Sequence, residues 1–198
     1  MKEPPGFTIG LLEPTHRSRV AEILRSTGNF RDDEISVALE LFDESLLGSD
    51  YTAFGAFRRE EGRGKGEEGK ERLIAVSPLP SSPFPLPRLF GFAIYGPTMA
   101  TDRTYDLYWI AVDRAAHGSG CGSVLLNEVE RRLEALHARM LVVETSSRSD
   151  YAATRGFYVK RGYVEAARVR EFYAPEDDRI ILTKRLEGSP REGWGAVA

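Results

Sequence analysis

Between residues 112 and 123 the chain reads Val-Asp-Arg-Ala-Ala-His-Gly-Ser-Gly-Cys-Gly-Ser, with Gly118, Gly120 and Gly122 alternating. Glycines at that spacing let consecutive backbone N–H groups turn toward one point with no Cβ in the way. A helix that starts just after them adds the positive end of its dipole. The segment is thus an anion cradle, and a diphosphate suits it. It matches neither common phosphate loop, because the spacing is not G-x-G-x-x-G and no Lys follows the last glycine. A tight strand-to-helix turn with no ligand reads the same from these residues alone.

The elements around the cradle follow from periodicity. The run 106–112 is nearly continuous in apolar residues and too short for an ordinary helix, so it reads as a central strand buried on both faces. From Ser123 to Arg139, Leu125, Val129, Leu133 and Leu136 recur at helical spacing, and Met140 to Val143 reads as a second buried strand. The resulting β-loop-helix-β unit favours a parallel or mixed sheet. Tyr151 to Arg161 predicts another helix, ended by Gly162. Val164 to Arg170 and Arg179 to Leu186 predict two closing strands joined by an acidic loop, Glu171 to Asp178. Upstream, Phe7 to Leu12 reads as a strand, and a helix carries Val20, Ile23 and Leu24. A second helix from Asp33 to Leu47 presents Ile35, Leu39, Phe42 and Leu46, and strands follow at Tyr51 to Arg58 and Leu89 to Tyr95.

Composition narrows the class. The 198 residues are 41% hydrophobic and 29% charged, with a net charge of -3, so no global attraction to nucleic acid or to an anionic membrane is expected. Cys121 is the only cysteine, which excludes an intramolecular disulfide and a cysteine-based zinc site. His16, His117 and His137 lack metal-ligand spacing, so no metal is expected. No apolar run approaches the ~20 residues needed to cross a bilayer, and a cytoplasmic protein is the expectation. The stretch 60–87 holds four of the 19 glycines and five of the 11 prolines, and reads as a flexible insertion. Residues 187–198 read as a loose tail. Without those two segments the chain is long enough for one domain, spanning 1–198 with the insertion inside it.

The strand, loop and helix resemble the GNAT N-acetyltransferase superfamily, whose acetyl-CoA loop reads Gln/Arg-x-x-Gly-x-Gly/Ala. Here it stands as His117-x-x-Gly120-x-Gly122, with His in place of the usual Gln or Arg. Thr154-x-x-Phe157-Tyr158-x-x-x-Gly162-Tyr163 resembles a second family motif, with Tyr151 where many members have Asn. The resemblance spans roughly 51–186 by motif or strand order. It implies an α/β (α+β) GNAT fold: a central mixed, mostly antiparallel sheet, splayed between two parallel strands and flanked by helices. It also implies acetyl-CoA as cosubstrate, held by the strand Ile110, Ala111 and Val112 and by the loop His117, Gly118, Ser119, Gly120, Cys121, Gly122 and Ser123, with Tyr151 and Lys160 nearby.

Amide formation from a thioester needs a neutral amine, stabilisation of an oxyanion, and a proton for the departing thiolate. The resemblance places Tyr158 as that acid and a backbone N–H of the Ile110 to Val112 strand at the oxyanion. Carboxylates at the open ends of the two central strands are base candidates, Asp106 ahead of Glu144, with water as the alternative. The expected activity is direct acetyl transfer to a primary amine of a small molecule or amino acid, in a ternary complex. A non-catalytic acyl-CoA sensor and a protein or peptide N-terminal acetyltransferase are the alternatives. Oligomeric state stays open, although members of the family often dimerise.

Overall fold

The computed structural model describes residues 6–58 and 87–186. The insertion expected at 60–87, apart from Pro87, and the tail expected at 187–198 lie outside the described residues. Seven strands form one sheet: β1 (Thr8–Leu11), β2 (Thr52–Arg58), β3 (Arg88–Pro97), β4 (Thr104–Val112), β5 (Met140–Ser146), β6 (Val164–Ala174) and β7 (Asp177–Arg185). Their spatial order is β1-β2-β3-β4-β5-β7-β6. Every neighbouring pair is antiparallel except β4 with β5.

Four α-helices cover the sheet: α1 (Arg17–Thr27), α2 (Asp32–Leu46), α3 (Cys121–Ala135) and α4 (Ala152–Val159). Gly28 ends α1 in the left-handed region at φ 73°, which spares the chain the Cβ clash of any other residue. Acidic Asp32, Asp33 and Glu34 open α2 at its positive end, and Glu34 accepts a 2.8 Å bond from the Arg31 N–H. The helical stripes bury as expected. Ile35, Ala38, Leu39 and Phe42 of α2 join Val20, Ile23 and Leu24 of α1 on one face of the sheet, with Phe92 and Ile94 beneath them. Leu125, Leu126, Val129 and Leu133 of α3 pack on the other face, against Tyr95, Leu107, Leu141 and Val143. Gly91 lets α3 approach, because a Cβ there would stand 2.9 Å from the Ala111 carbonyl oxygen and 3.0 Å from the Cys121 sulfur.

The feature that shapes the centre of the sheet lies in β4. Leu107 pairs with Tyr95 and Trp109 with Ile94, so Tyr108 is one extra residue against β3, a β-bulge. The bulge exchanges the faces of every residue after it: Tyr105 and Leu107 face α3, as do Ile110 and Val112, while Trp109 and Ala111 face α1. Parallel pairing with β5 stops at the same place. It runs from Thr104 and Met140 to Leu107 and Val143 and goes no further, so the strands splay beyond it.

Two sequence expectations change here. The central strand is not buried on both faces, since Tyr108 is exposed and Trp109, Ile110 and Val112 are half-buried where β5 departs. The acidic loop expected at 171–178 is mostly strand. β6 runs on to Ala174 and β7 begins at Asp177, because a bulge of several residues between Val169 and Ala174 keeps the ladder going.

On α3, Glu128 accepts hydrogen bonds from Arg131 at 2.8 Å and Arg132 at 2.7 Å. The Arg131 contact, reinforced by Arg132, holds its carboxyl at about 2 against partial burial, below an ordinary value of 4.5. A depressed folded-state value means stability that is present above the ordinary value and lost as pH falls toward 2. Glu128→Gln should therefore melt below the wild type at pH 6, with the gap closing between about pH 4.5 and pH 2 in thermal melts.

Candidate active site

The glycine segment forms the turn from β4 to α3. Gly118 and Gly120 sit at φ 75° and 89°, where a side chain is strained. Gly122 has helical backbone, and a Cβ there would point at Phe157 and Val112, both beyond 3.5 Å. The backbone N–H groups of Gly118, Gly120, Cys121, Gly122 and Ser123 have no hydrogen-bond acceptor among the described residues. Five unsatisfied donors at the positive end of a fifteen-residue helix are suited to an anion. The Ser119 N–H is the exception, bonded to the Ala116 carbonyl at 3.2 Å.

The entry to this turn is fastened to α1. Asp113 is buried, and its carboxylate caps the Ala115 N–H at 2.8 Å and pairs with Arg19 of α1. Burial opposes its charge, but the Ala115 N–H and Arg19 outweigh it and hold the carboxyl below its ordinary value. Arg19 also donates to the Leu89 carbonyl at 3.1 Å, and Ser26 of α1 accepts from the Arg114 N–H at 3.2 Å. His117 turns back toward β4, with Nε2 3.0 Å from the Val112 carbonyl oxygen. Since a carbonyl only accepts, that contact uses the tautomer with a proton on Nε2. Cys121 directs its thiol into the core, where burial pushes it up to about 12, so only its backbone N–H reaches the cradle.

Beyond Leu107 one edge of β4 has no partner strand among the described residues. The Asp113 backbone N–H donates to the Phe90 carbonyl at 2.7 Å, so by the alternation of an antiparallel ladder Ile110 and Val112 turn their N–H groups to the gap. Ala111 turns its own to β3 and its side chain to the α1 core. The facing edge of β5 carries Glu144, Thr145 and Ser146. The Thr145 hydroxyl is buried with no hydrogen-bond partner among the described residues.

Tyr158 of α4 lies on the α3 side, 2% exposed, with its ring edge-on to Phe157 and Tyr163 at 5.3 Å each. Its hydroxyl makes no hydrogen bond among the described residues, and burial raises the phenol well above its ordinary value. It is a protonated donor at neutral pH. Asp106 and Glu144 alternate with Leu107 and Val143, so both carboxylates face the α1 side, across the sheet from Tyr158. Asp106 accepts a 2.7 Å bond from the Thr98 hydroxyl and lies where β4 is still paired with β5. Glu144 is ion-paired with Arg179 of β7, whose guanidinium covers the Phe172 ring at 4.8 Å.

Tyr151 is turned to the α1–α2 junction, where its hydroxyl donates to the Asn29 carbonyl at 3.1 Å and burial pushes the phenol up to about 12. Lys160 is exposed with no partner among the described residues. Arg155 braces the turn after β5 through the Ser146 and Arg148 carbonyls, and Arg161 stacks on Phe157 at 3.7 Å. Sequence reasoning missed Arg19, Ser26 and Asp113, and no local signal marks them, since Arg19 and Asp113 stand 94 positions apart. Among the described residues no group of three or more His, Cys, Asp or Glu side chains converges on a metal position. No helix among them is long and apolar enough to cross a membrane.

The orphaned Thr145 hydroxyl carries a prediction. An unsatisfied buried hydroxyl costs on the order of 1 kcal/mol or more, and valine has nearly the same shape without it. Thr145→Val should raise Tm of the ligand-free protein by roughly 2–4 °C in calorimetric scans. An unchanged or lower Tm would show that the hydroxyl has a partner.

The model of the acetyltransferase (GNAT) domain matches residues 87–165. An acetyltransferase assigned to the GNAT family, from Desulfovibrio desulfuricans, is 34% identical, with a TM-score of 0.70 over 90% of this chain and 97% of that one. The chain belongs to the GNAT family, the acetyl-CoA-dependent N-acetyltransferases. Two further structures share the fold. The ribosomal-protein-S18-alanine N-acetyltransferase of Escherichia coli is 20% identical with a TM-score of 0.66, covering 96% of this chain and 99% of that one. An acetyltransferase from Salmonella typhimurium, solved with its cofactor acetyl-CoA, is 16% identical with a TM-score of 0.62, covering 91% of this chain and 94% of that one. No functionally curated protein matches the chain.

Proposed function

We propose that the chain moves the acetyl group of acetyl-CoA to a primary amine of a small molecule or amino acid, by direct attack and without a covalent acyl-enzyme. The observation that carries this is the set of unsatisfied N–H groups of Gly118 and of Gly120 to Ser123, opening beside the unpaired edge of β4. Those donors and the dipole of α3 suit a diphosphate, and the N–H groups of Ile110 and Val112 suit the amides of an extended pantetheine arm. Acetyl-CoA, when bound, supplies an activated acyl thioester.

The chain's own residues then have three tasks. A strand N–H at the gap stabilises negative charge developing on the carbonyl oxygen. Tyr158 donates a proton to the leaving sulfur, a task for which a buried, protonated and unpartnered phenol is suited. The amine loses its proton on the α1 side, where Asp106 is the first candidate and Glu144, held by Arg179, the second. In this reading the described residues are one acetyltransferase domain.

Calorimetry with acetyl-CoA and with ATP, followed by a thiol-release screen over amines, tests the proposal. Binding of acetyl-CoA but not ATP, with thiol release for at least one amine, is the expected result. No binding of acetyl-CoA overturns it, and binding without thiol release across the panel favours a sensor.

A further inference from the structure

A cleft of about 500 Å³ lies at the carboxyl end of β5, between the α1–α2 junction, the turn before α4 and the β6–β7 tip. Arg31, Arg148, Asp150, Tyr173, Glu176 and Asp177 line it. Its charges are unequally satisfied. Arg31 is exposed and paired with Asp33 at 3.1 Å and Glu34 at 3.8 Å, and exposed Arg148 is paired with Asp150. Asp177 is the opposite case. It is 8% exposed, and one carboxylate oxygen accepts a 2.5 Å bond from the Ser146 hydroxyl. No cationic side chain among the described residues lies within ion-pair distance of it. A buried carboxylate with a single hydroxyl partner has an unmet demand for positive charge. Tyr151 and Tyr173 both lie within its field and add aromatic surface, while the two arginines of the cleft wall are engaged by other carboxylates.

We infer that Asp177 holds an ammonium group of the acceptor, and that this group is a second one, distinct from the amine that is acetylated. The inference rests on the proposed acetyl transfer. A carboxylate stabilises the protonated amine, and an ammonium has no lone pair with which to attack, so the group kept at Asp177 is a handle. Its placement agrees. Asp177 is tied to Ser146, three residues past Val143 where β4 and β5 part, roughly 10 Å along an extended strand. Tyr158 lies on the other face of the sheet. The substrate class is therefore a diamine or a longer polyamine, with the ammonium at Asp177 and the far amine at the gap. Tyr173 at the cleft wall offers apolar contact to the linking methylenes.

Initial-rate thiol release with putrescine and cadaverine, against butylamine and pentylamine, tests this in the wild type and in Asp177→Asn. The wild type should favour a diamine over its matched monoamine by at least about thirtyfold in kcat/KM, the scale of one charge-assisted contact. Asp177→Asn should remove that preference through KM, leaving monoamine rates and the calorimetric affinity for acetyl-CoA unchanged. Asp177→Glu, which keeps the charge and extends it by one methylene, should move the optimum toward the shorter diamine, and serves if the amide variant does not fold. Equal use of diamines and monoamines by the wild type overturns the inference and leaves acetyl transfer standing. Equal losses for both classes in Asp177→Asn also overturn it, because Asp177 would then hold the reacting amine. No thiol release for any amine overturns both.

Discussion

Tyr158→Phe should turn over between about 10² and 10⁴ times more slowly than the wild type at saturating acetyl-CoA and amine, the range that one positioned general acid supplies. The variant is a clean test because the Tyr158 hydroxyl makes no hydrogen bond among the described residues. The packing is aromatic, edge-on to Phe157 and Tyr163, and phenylalanine keeps the ring. Removing that hydroxyl strands no donor or acceptor in the fold. Thermal melts should therefore show a Tm equal to or above that of the wild type, and calorimetry an unchanged affinity for acetyl-CoA. The loss should sit in kcat. Full turnover by Tyr158→Phe would remove the phenol from the mechanism, leaving solvent to protonate the thiolate.

The second large effect is expected at Gly120, and on binding. Its φ of 89° is a backbone conformation that Asn and Asp adopt more readily than other side chains. Gly120→Asp therefore strains the turn less than most side chains would, while adding a carboxylate beside the unsatisfied N–H groups where a diphosphate would sit. Like charges at that range oppose each other by on the order of 2 kcal/mol after screening, about thirtyfold in affinity. Calorimetric Kd for acetyl-CoA should rise by at least that factor. Gly120→Asn has the same shape without the charge and should fall between the two. The difference should shrink in high salt, since part of it is screened. Equal Kd values for the Asp and Asn variants would mean that no anion is held there.

The parts legible in the sequence were those with local signals. Alternating glycines announced the turn at Gly118 to Gly122, and apolar stripes announced α2 and α3, because burial of one helical face writes a period into the chain. The β-bulge at Tyr108 left no trace, since a bulge demands no particular residue and the apolar run through it is unbroken. It nevertheless decides which side chains of β4 face α3. The acidic stretch from Glu171 to Asp178 read as a loop by composition. Ladder pairing with β7 and the 3.0 Å bond from the Glu171 N–H to the Asp178 carboxylate outweigh that tendency. Of the candidate site, the cradle and Tyr158 were visible as motifs. The lone charge of Asp177 and the orphaned Thr145 hydroxyl were not, because a missing partner is a property of three-dimensional surroundings.

The ties from Arg19 and Ser26 to the residues around Asp113 join the helix next to the acceptor cleft to the turn proposed for the cofactor. Two ligands that each prefer one placement of a shared rigid element must assist one another equally, whichever arrives first. If acetyl-CoA settles α1, the gain in acceptor affinity equals the gain in acetyl-CoA affinity that the acceptor confers. Weakening the tie with Arg19→Met should shrink that mutual gain, read as calorimetric acetyl-CoA affinities that differ less with and without acceptor than those of the wild type.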